Sequence, residues 1–94
     1  MKSPALVWDA WNRQHINKHN VTVKEVQEAY EAEFGRSSRY ENRQAIYGRT
    51  KNDRLITIIV SFGKQERPYV VTARDISSKE RRTYYEKNHQ TKTN

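Results

Sequence analysis

The sequence changes from a strand pattern to a helix pattern within the segment Tyr69-Val70-Val71-Thr72-Ala73-Arg74-Asp75-Ile76-Ser77-Ser78-Lys79-Glu80-Arg81-Arg82. The β-branched and aromatic residues at its start are typical of a strand, which we place near 68–74. Ser77, followed three residues later by Glu80, forms a capping box and predicts a helix over about 78–88. Arg74 therefore stands where the last strand meets the last helix, and it cannot lie unpaired in the core.

Upstream of this segment, apolar residues recur at every second position, which predicts further strands. We expect them near 36–41, 43–49 and 54–62, with turns at 51–53 and 63–66. The third strand carries its core-facing residues at alternate positions: Ile56, Ile58, Val60 and Phe62. The last strand is ambiguous, because apolar residues occur in both alternating sets: Tyr69, Val71 and Ala73, and Val70, Thr72 and Arg74.

Two helices are predicted before the strands. Asp9 is the expected N-cap of a helix that reaches about Lys18, and Asn20 fits the left-handed position after it. The second helix, about 23–33, opens with a capping box at Thr22 and is expected to end at Gly35. The fold class is thus α+β: two N-terminal helices, an antiparallel sheet of three to four strands and a C-terminal helix. We expect one domain over 1–94, with 88–94 as a disordered tail.

Composition narrows the classes of function. The 94 residues include 18 Lys and Arg against 11 Asp and Glu, which gives a formal net charge of +7 and favours a polyanionic partner, either nucleic acid or an acidic protein. The absence of cysteine excludes disulfides and thiolate metal sites. The N-terminus lacks the apolar run of a signal peptide, and no segment is long enough to span a bilayer. We therefore expect a cytoplasmic protein that has no membrane partner.

The residues that can carry chemistry are basic and lie in the second half of the chain. They comprise Arg49, Lys51, Arg54, Arg74, Lys79, Arg81 and Arg82. Clustered guanidinium groups can stabilise the phosphorane that forms when an RNA 2′-hydroxyl attacks its own phosphate, and a tyrosine can supply a proton. We predict Arg74, Glu80, Arg81 and Tyr85 as catalytic residues. Arg49, Lys51, Arg54, Lys79 and Arg82 are predicted to bind RNA. This hypothesis requires the arginines to converge on a cavity open to water and not to be engaged by carboxylates.

Two features of the first helix have alternative interpretations. His15 and His19 lie four residues apart, but without a third ligand they do not predict a metal site, so helix packing or acid–base chemistry remain open. Trp8 and Trp11 can stack on bases, although core anchoring is the more common role of tryptophan in so small a domain.

The chain resembles the BrnT-type toxins. The resemblance rests on ordered blocks: Trp8-Asp9-Ala10-Trp11-Asn12, His15-Ile16, His19, Val21-Thr22, Glu25-Val26, Gly48-Arg49-Thr50, Arg54-Leu55, and Thr72 to Ser77 with Lys79-Glu80-Arg81-Arg82 and Tyr84 or Tyr85. The departures are Asn20, where glycine is usual, and the stretch 34–45, which does not match.

The resemblance implies a RelE-like fold and a bacterial type II toxin, an endoribonuclease that needs no metal or other cofactor and inhibits translation. Its partners would be RNA and a cognate antitoxin protein in a hetero-oligomer. Arg49, Arg54, Arg74, Glu80 and Arg81 fall on motif positions of the family, which implies RNA contact or cleavage. The alternative is a non-catalytic nucleic-acid- or protein-binding domain of the same fold.

Overall fold

The computed structural model describes residues 4–39, 41–63 and 67–86. Its elements are α1 (Ala10–Asn17), α2 (Val23–Glu31), β1 (Glu33–Arg39), β2 (Arg43–Arg49), β3 (Leu55–Phe62), β4 (Pro68–Asp75) and α3 (Ser78–Glu80), which continues as a π-helix (Arg81–Glu86). We call α3 and the π-helix together the C-terminal helix. The predicted α+β layout is confirmed, and the antiparallel sheet has four strands in the order β1-β2-β3-β4.

The hydrophobic core lies between one face of the sheet and the two N-terminal helices. Ile46, Ile58 and Ala73 pair across β2, β3 and β4, and all three are fully buried. At Gly48, α2 approaches the sheet so closely that a Cβ atom would overlap the carbonyl oxygen of Ala29. The alternation of apolar residues in β3 therefore places Ile56 and Ile58 in the core beneath the helices, as the sequence predicts.

The C-terminal helix covers part of the opposite face of the sheet. Tyr47, Thr57 and Arg74 form one row across β2, β3 and β4 on this face. The ring of Tyr84 stacks on Tyr47 with 4.3 Å between the ring centroids. A Cβ atom added at Gly35 would lie 3.0 Å from Tyr84 Cδ1, so β1 also approaches this helix closely. The row beneath the helix is polar, and its member Arg74 contacts Glu80 of the C-terminal helix.

The predicted helix starts are confirmed. Asp9, Thr22 and Ser77 are the N-caps of α1, α2 and α3, and each forms a capping box with the third helical residue. Asn20 adopts the left-handed conformation expected of it, with a φ of 58°. These contacts span only three or four residues, which is why the sequence alone reveals them.

The boundary between α2 and β1 differs from the prediction. The helix ends at Glu31 and the strand already begins at Glu33, so Gly35 lies within β1 and does not end the helix. Ala32 leaves the helical conformation without a glycine, at φ −113° and ψ 43°, and Glu33 pairs at once with Gly48. Pairing with β2 therefore begins before the expected stop signal.

A β-bulge explains the ambiguous pattern of the last strand. Ile59 pairs with Thr72, but Val60 pairs with Val70, so β4 has one extra residue at Val71. Val70 and Ala73 are consequently both fully buried although they lie three residues apart. Neither alternating set is the core set over the whole strand.

The C-terminal helix extends at least to Glu86, and only its first turn is α-helical. The end predicted near 88, the tail 88–94 and part of the turn at 63–66 lie outside the described residues. Within the described ranges, no helix is long and apolar enough to cross a membrane.

Candidate functional site

Glu80 is the most heavily hydrogen-bonded side chain at the junction of β4 and the C-terminal helix. Its Oε1 accepts from Ser77 N (3.0 Å), Thr57 Oγ1 (2.8 Å) and Arg74 Nη1 (2.9 Å). Its Oε2 accepts from Arg74 Nη2 (3.0 Å) and from Arg39 Nη2 (3.5 Å). The side chain is only 12% exposed. The carboxylate thus ties the helix to three strands of the sheet.

These contacts fix the ionisation of Glu80. Burial raises the pKa of its carboxyl group, but the hydrogen bonds from Arg74, Ser77 and Thr57 outweigh burial and lower the pKa from 4.5 to about 2. A carboxylate with this pKa stays ionised at neutral pH and is a poor proton donor or acceptor there. Its contacts make Glu80 a positioning residue for Arg74.

Arg74 does not present a free guanidinium group to solvent. Both terminal nitrogens point at Glu80, and Nη1 also donates to the carbonyl oxygen of Asp75 at 3.2 Å. The hydrogen bond to Glu80 raises the pKa of Arg74 above its ordinary value. The requirement that this arginine remain without a carboxylate partner is therefore not met.

Arg54 is also engaged, and it connects three elements. Its Nε donates to Asp75 Oδ1 at 2.7 Å, and its Nη1 donates to Glu25 Oε1 at 3.0 Å and to the carbonyl oxygen of Asn20 at 2.8 Å. Its Nη2 lies 3.5 Å from the carbonyl oxygen of His19. The hydrogen bond that Arg54 donates to Asp75 raises the pKa of Arg54 above its ordinary value. Arg54 thus clamps the end of α1 and the start of α2 to the end of β4.

A cleft of about 510 Å³ opens where β2 ends, β3 begins and β4 ends beside the C-terminal helix. It is lined by Arg49, Asp53, Leu55, Asp75, Ile76, Arg81 and Tyr85. The structure therefore brings together Arg49, Arg81 and Tyr85 from the predicted set. It also adds two aspartates, so the cleft carries two guanidinium groups and two carboxylates and is not uniformly cationic.

The two arginines of the cleft differ from Arg74 and Arg54 in exposure. Arg49 lies 3.7 Å from Asp53 and its side chain is 50% exposed. Arg81 lies 3.2 Å from Glu86 and its side chain is 55% exposed. Ion pairs this exposed contribute little to stability, so a phosphate can replace the carboxylate at modest cost.

The remaining predicted residues, Lys51, Lys79 and Arg82, do not line the cleft. Lys79 lines a second cavity of about 300 Å³, together with Arg39, and not the cleft. Lys51 and Arg82 are exposed and line neither cavity. The predicted set is therefore divided, with Lys79 placed apart from Arg49 and Arg81.

Sequence reasoning missed three residues of this region: Arg39, Asp53 and Asp75. Arg39 lies in the stretch that does not match the toxin family, and its contact with Glu80 joins residues 41 positions apart. For Asp53 the available signal was its place in the predicted turn 51–53, where Asp is common because it tolerates a positive φ; in the structure its φ is 66°.

The expectation for the two tryptophans is half right. Trp8 packs against the core, but Trp11 is 55% exposed and is not a core anchor. Its indole stacks on His15 with 4.6 Å between centroids. No group of three or more His, Cys, Asp or Glu side chains in the described part of the chain is placed to hold a metal ion.

Comparison of the chain with protein-family models, curated proteins and solved structures gives no match. Function is therefore inferred from the residues of the cleft and their contacts.

Proposed function

We propose that this protein binds RNA in the cleft and cleaves it without a metal ion. The observation that carries the proposal is the position of Arg49, Arg81 and Tyr85 on one cleft of about 510 Å³, with both guanidinium groups half exposed. Two such groups can contact phosphate oxygens in pairs, and a phenol beside them can transfer a proton.

The chemistry follows from these residue types. A 2′-hydroxyl loses its proton to a carboxylate of the cleft, for which we propose Asp75, and its oxygen attacks the adjacent phosphorus. Arg49 and Arg81 stabilise the added negative charge on the phosphorane. The bond from phosphorus to the 5′-oxygen then breaks, and Tyr85 gives its phenolic proton to that oxygen. The products are a 2′,3′-cyclic phosphate and a 5′-hydroxyl.

Arg74, Glu80 and Arg54 act indirectly in this scheme. Glu80 and Arg74 hold the start of the C-terminal helix on the sheet, which places Arg81 and Tyr85 at the cleft. Arg54 holds the carboxylate of Asp75 in position through a hydrogen bond of 2.7 Å. Lys51, Lys79 and Arg82 contact phosphates along the RNA without regard to sequence.

The ordered resemblance to BrnT-type toxins supports a biological role. The protein would be the toxin of a type II toxin–antitoxin pair in the cytoplasm, where it inhibits translation. A cognate antitoxin would form a hetero-oligomer with it and block the cleft. Growth arrest on induction in bacteria, relieved by co-expression of the antitoxin, is the expected phenotype.

The decisive experiment incubates purified protein with naked RNA in the presence of a chelator. We expect cleavage by the wild type and its loss in Arg81→Gln. Tyr85→Phe should also abolish cleavage. The phenylalanine ring can keep the edge contact that the Tyr85 ring makes with Phe34, at 5.0 Å between centroids. Arg13→Gln, which removes an exposed charge on α1, is the matched control and should cleave as the wild type does. Equal cleavage by all four proteins would refute the assignment.

A second candidate function, RNA binding without cleavage, is favoured by a separate observation. Arg74 and Arg54 are held by carboxylates, which leaves fewer free guanidinium groups than a nuclease of this design was expected to need. This candidate predicts intact RNA after prolonged incubation and an affinity that falls steeply with salt.

A further inference from the structure

Trp11 is the most unusual surface residue of the described chain. Among the described residues, Trp11 is the large apolar residue that is exposed to solvent, with 55% of its surface accessible. Asn12 and Ile16 on the same helix are fully buried. Helical periodicity places His15 and His19 on the same side of the helix as Trp11, each four residues further along. Trp11 and His19 are exposed, and His15 between them is half-buried.

The three rings form an ordered series, which we call the Trp11 stripe. The indole of Trp11 and the imidazole of His15 are nearly parallel, with an interplanar angle of 14° and 4.6 Å between centroids. His15 and His19 meet edge to face at 6.2 Å. The stack holds the indole in one orientation while more than half of the residue stays exposed. An aromatic side chain held in this way loses little conformational freedom when a flat ligand adds to it.

The charge around the stripe favours an anionic occupant. Residues 10–21 contain no Asp or Glu, and Lys18, seven positions after Trp11, lies on the same side of α1 as the stripe. A protein surface that docks on such a stripe would need acidic groups or a matching apolar patch, but a nucleic acid brings both phosphates and flat bases.

Arg54 links the end of the stripe to the cleft. Arg54 donates to backbone carbonyl groups at the end of α1, those of His19 and Asn20, and the same guanidinium holds Asp75 of the cleft. From Trp11 to His19 the helix rises about 12 Å. A strand that leaves the cleft past Arg54 therefore meets His19 first and Trp11 last.

We propose that the Trp11 stripe is a base-stacking platform for single-stranded RNA, and that the substrate of the cleft is consequently unpaired RNA. This inference rests on the proposed function, because the cleft must bind RNA for the stripe to extend it. Paired bases present no open face to the indole, so a duplex gains nothing from the stripe.

Two probes of equal charge test the platform: a ten-nucleotide oligouridylate and an oligomer of the same length that lacks the bases. Binding of the full-length protein is measured by fluorescence polarisation at fixed salt. We expect the wild type to bind the oligouridylate more tightly than the abasic oligomer. Trp11→Leu should weaken binding of the oligouridylate by about five-fold or more and leave the abasic oligomer unaffected, because stacking on an aromatic ring is lost while charge is unchanged. Trp11→Phe should retain most of the difference.

The matched control is Arg13→Gln on the opposite side of α1. It removes a positive charge away from the stripe, and any effect of that charge is the same for two probes of equal charge. We therefore expect Arg13→Gln to leave the ratio of the two affinities as it is in the wild type. Circular dichroism of each variant checks that α1 is intact.

Two results would overturn the platform. One is a Trp11→Leu variant that discriminates between the probes as the wild type does. The other is a wild-type dimer in sedimentation that Trp11→Leu converts to monomer, which would make the stripe an interface between copies of this chain. Failure of the proposed cleavage is a separate outcome: RNA that stays intact but binds in a Trp11-dependent way refutes the nuclease and supports the platform.

Discussion

Replacing Glu80 with glutamine isolates the charge that joins the C-terminal helix to the sheet. The amide has the shape of the carboxylate and keeps one oxygen that can accept from Ser77 N and Thr57 Oγ1. It presents an NH₂ group to one nitrogen of Arg74, so a charge-assisted bond of 3.0 Å becomes a contact between two donors. The guanidinium group of Arg74 is then left partly buried without a compensating charge.

The magnitude follows from the lowered pKa of Glu80. A decrease from 4.5 to about 2 corresponds to about 3 kcal/mol at about 1.4 kcal/mol per unit. Because Arg74 is partly exposed, solvent screening weakens its interaction with Glu80. We therefore expect Glu80→Gln to lower the free energy of unfolding by about 1–2 kcal/mol at pH 7. For a domain of this size that is a fall in melting temperature of roughly 4–8 °C per kcal/mol.

The sign of the pH dependence is fixed by the same pKa. The carboxyl group titrates at a lower pH in the folded protein than in the unfolded chain, so its stabilisation is complete above about pH 4.5 and is lost as the pH falls towards 2. The difference between wild type and Glu80→Gln should therefore shrink to about half or less by pH 3.

Urea denaturation followed by circular dichroism at pH 7 and pH 3 measures both quantities. Glu86→Gln is the matched control. It removes a carboxylate from the same helix, but the ion pair of Glu86 with Arg81 is exposed. We expect no measurable loss of stability from it. A Glu80→Gln effect that is equal at the two pH values, or no larger than that of the control, would refute the structural role of Glu80.

Three further outcomes are expected. Gly48→Ala should destabilise the protein by about 3 kcal/mol in urea denaturation, because its methyl group would overlap the carbonyl oxygen of Ala29; Gly63→Ala, with nothing within 4 Å of the added atom, should stay within about 0.5 kcal/mol of wild type. Ile58→Ala, at a fully buried position, should reduce the free energy of unfolding by about 2–5 kcal/mol, and a smaller loss would mean that the core relaxes around the cavity. Glu86→Gln should tighten RNA binding and steepen its salt dependence by about one unit of slope, since one arginine of the cleft loses its competing carboxylate; unchanged polarisation titrations would place the RNA elsewhere.

The sequence determined the local part of this fold. Capping boxes at Thr22 and Ser77 and the left-handed Asn20 depend on residues three or four positions apart, so short patterns are sufficient to predict them. The alternation in β3 likewise predicts which face of the strand is buried. The bulge at Val71 is different, because an extra residue in one strand is defined only by the partner strand.

For the candidate site, the sequence determined that basic residues and tyrosines gather in the second half of the chain, but it did not determine which of them are available. Arg54 meets Asp75 across 21 positions, and Arg39 meets Glu80 across 41. Only the tertiary structure decides such pairs, because a hydrogen-bonded ion pair requires the two groups to be close in space, whatever their separation along the chain. Folding thus neutralised Arg74 and Arg54 and left Arg49 and Arg81 half exposed on the cleft.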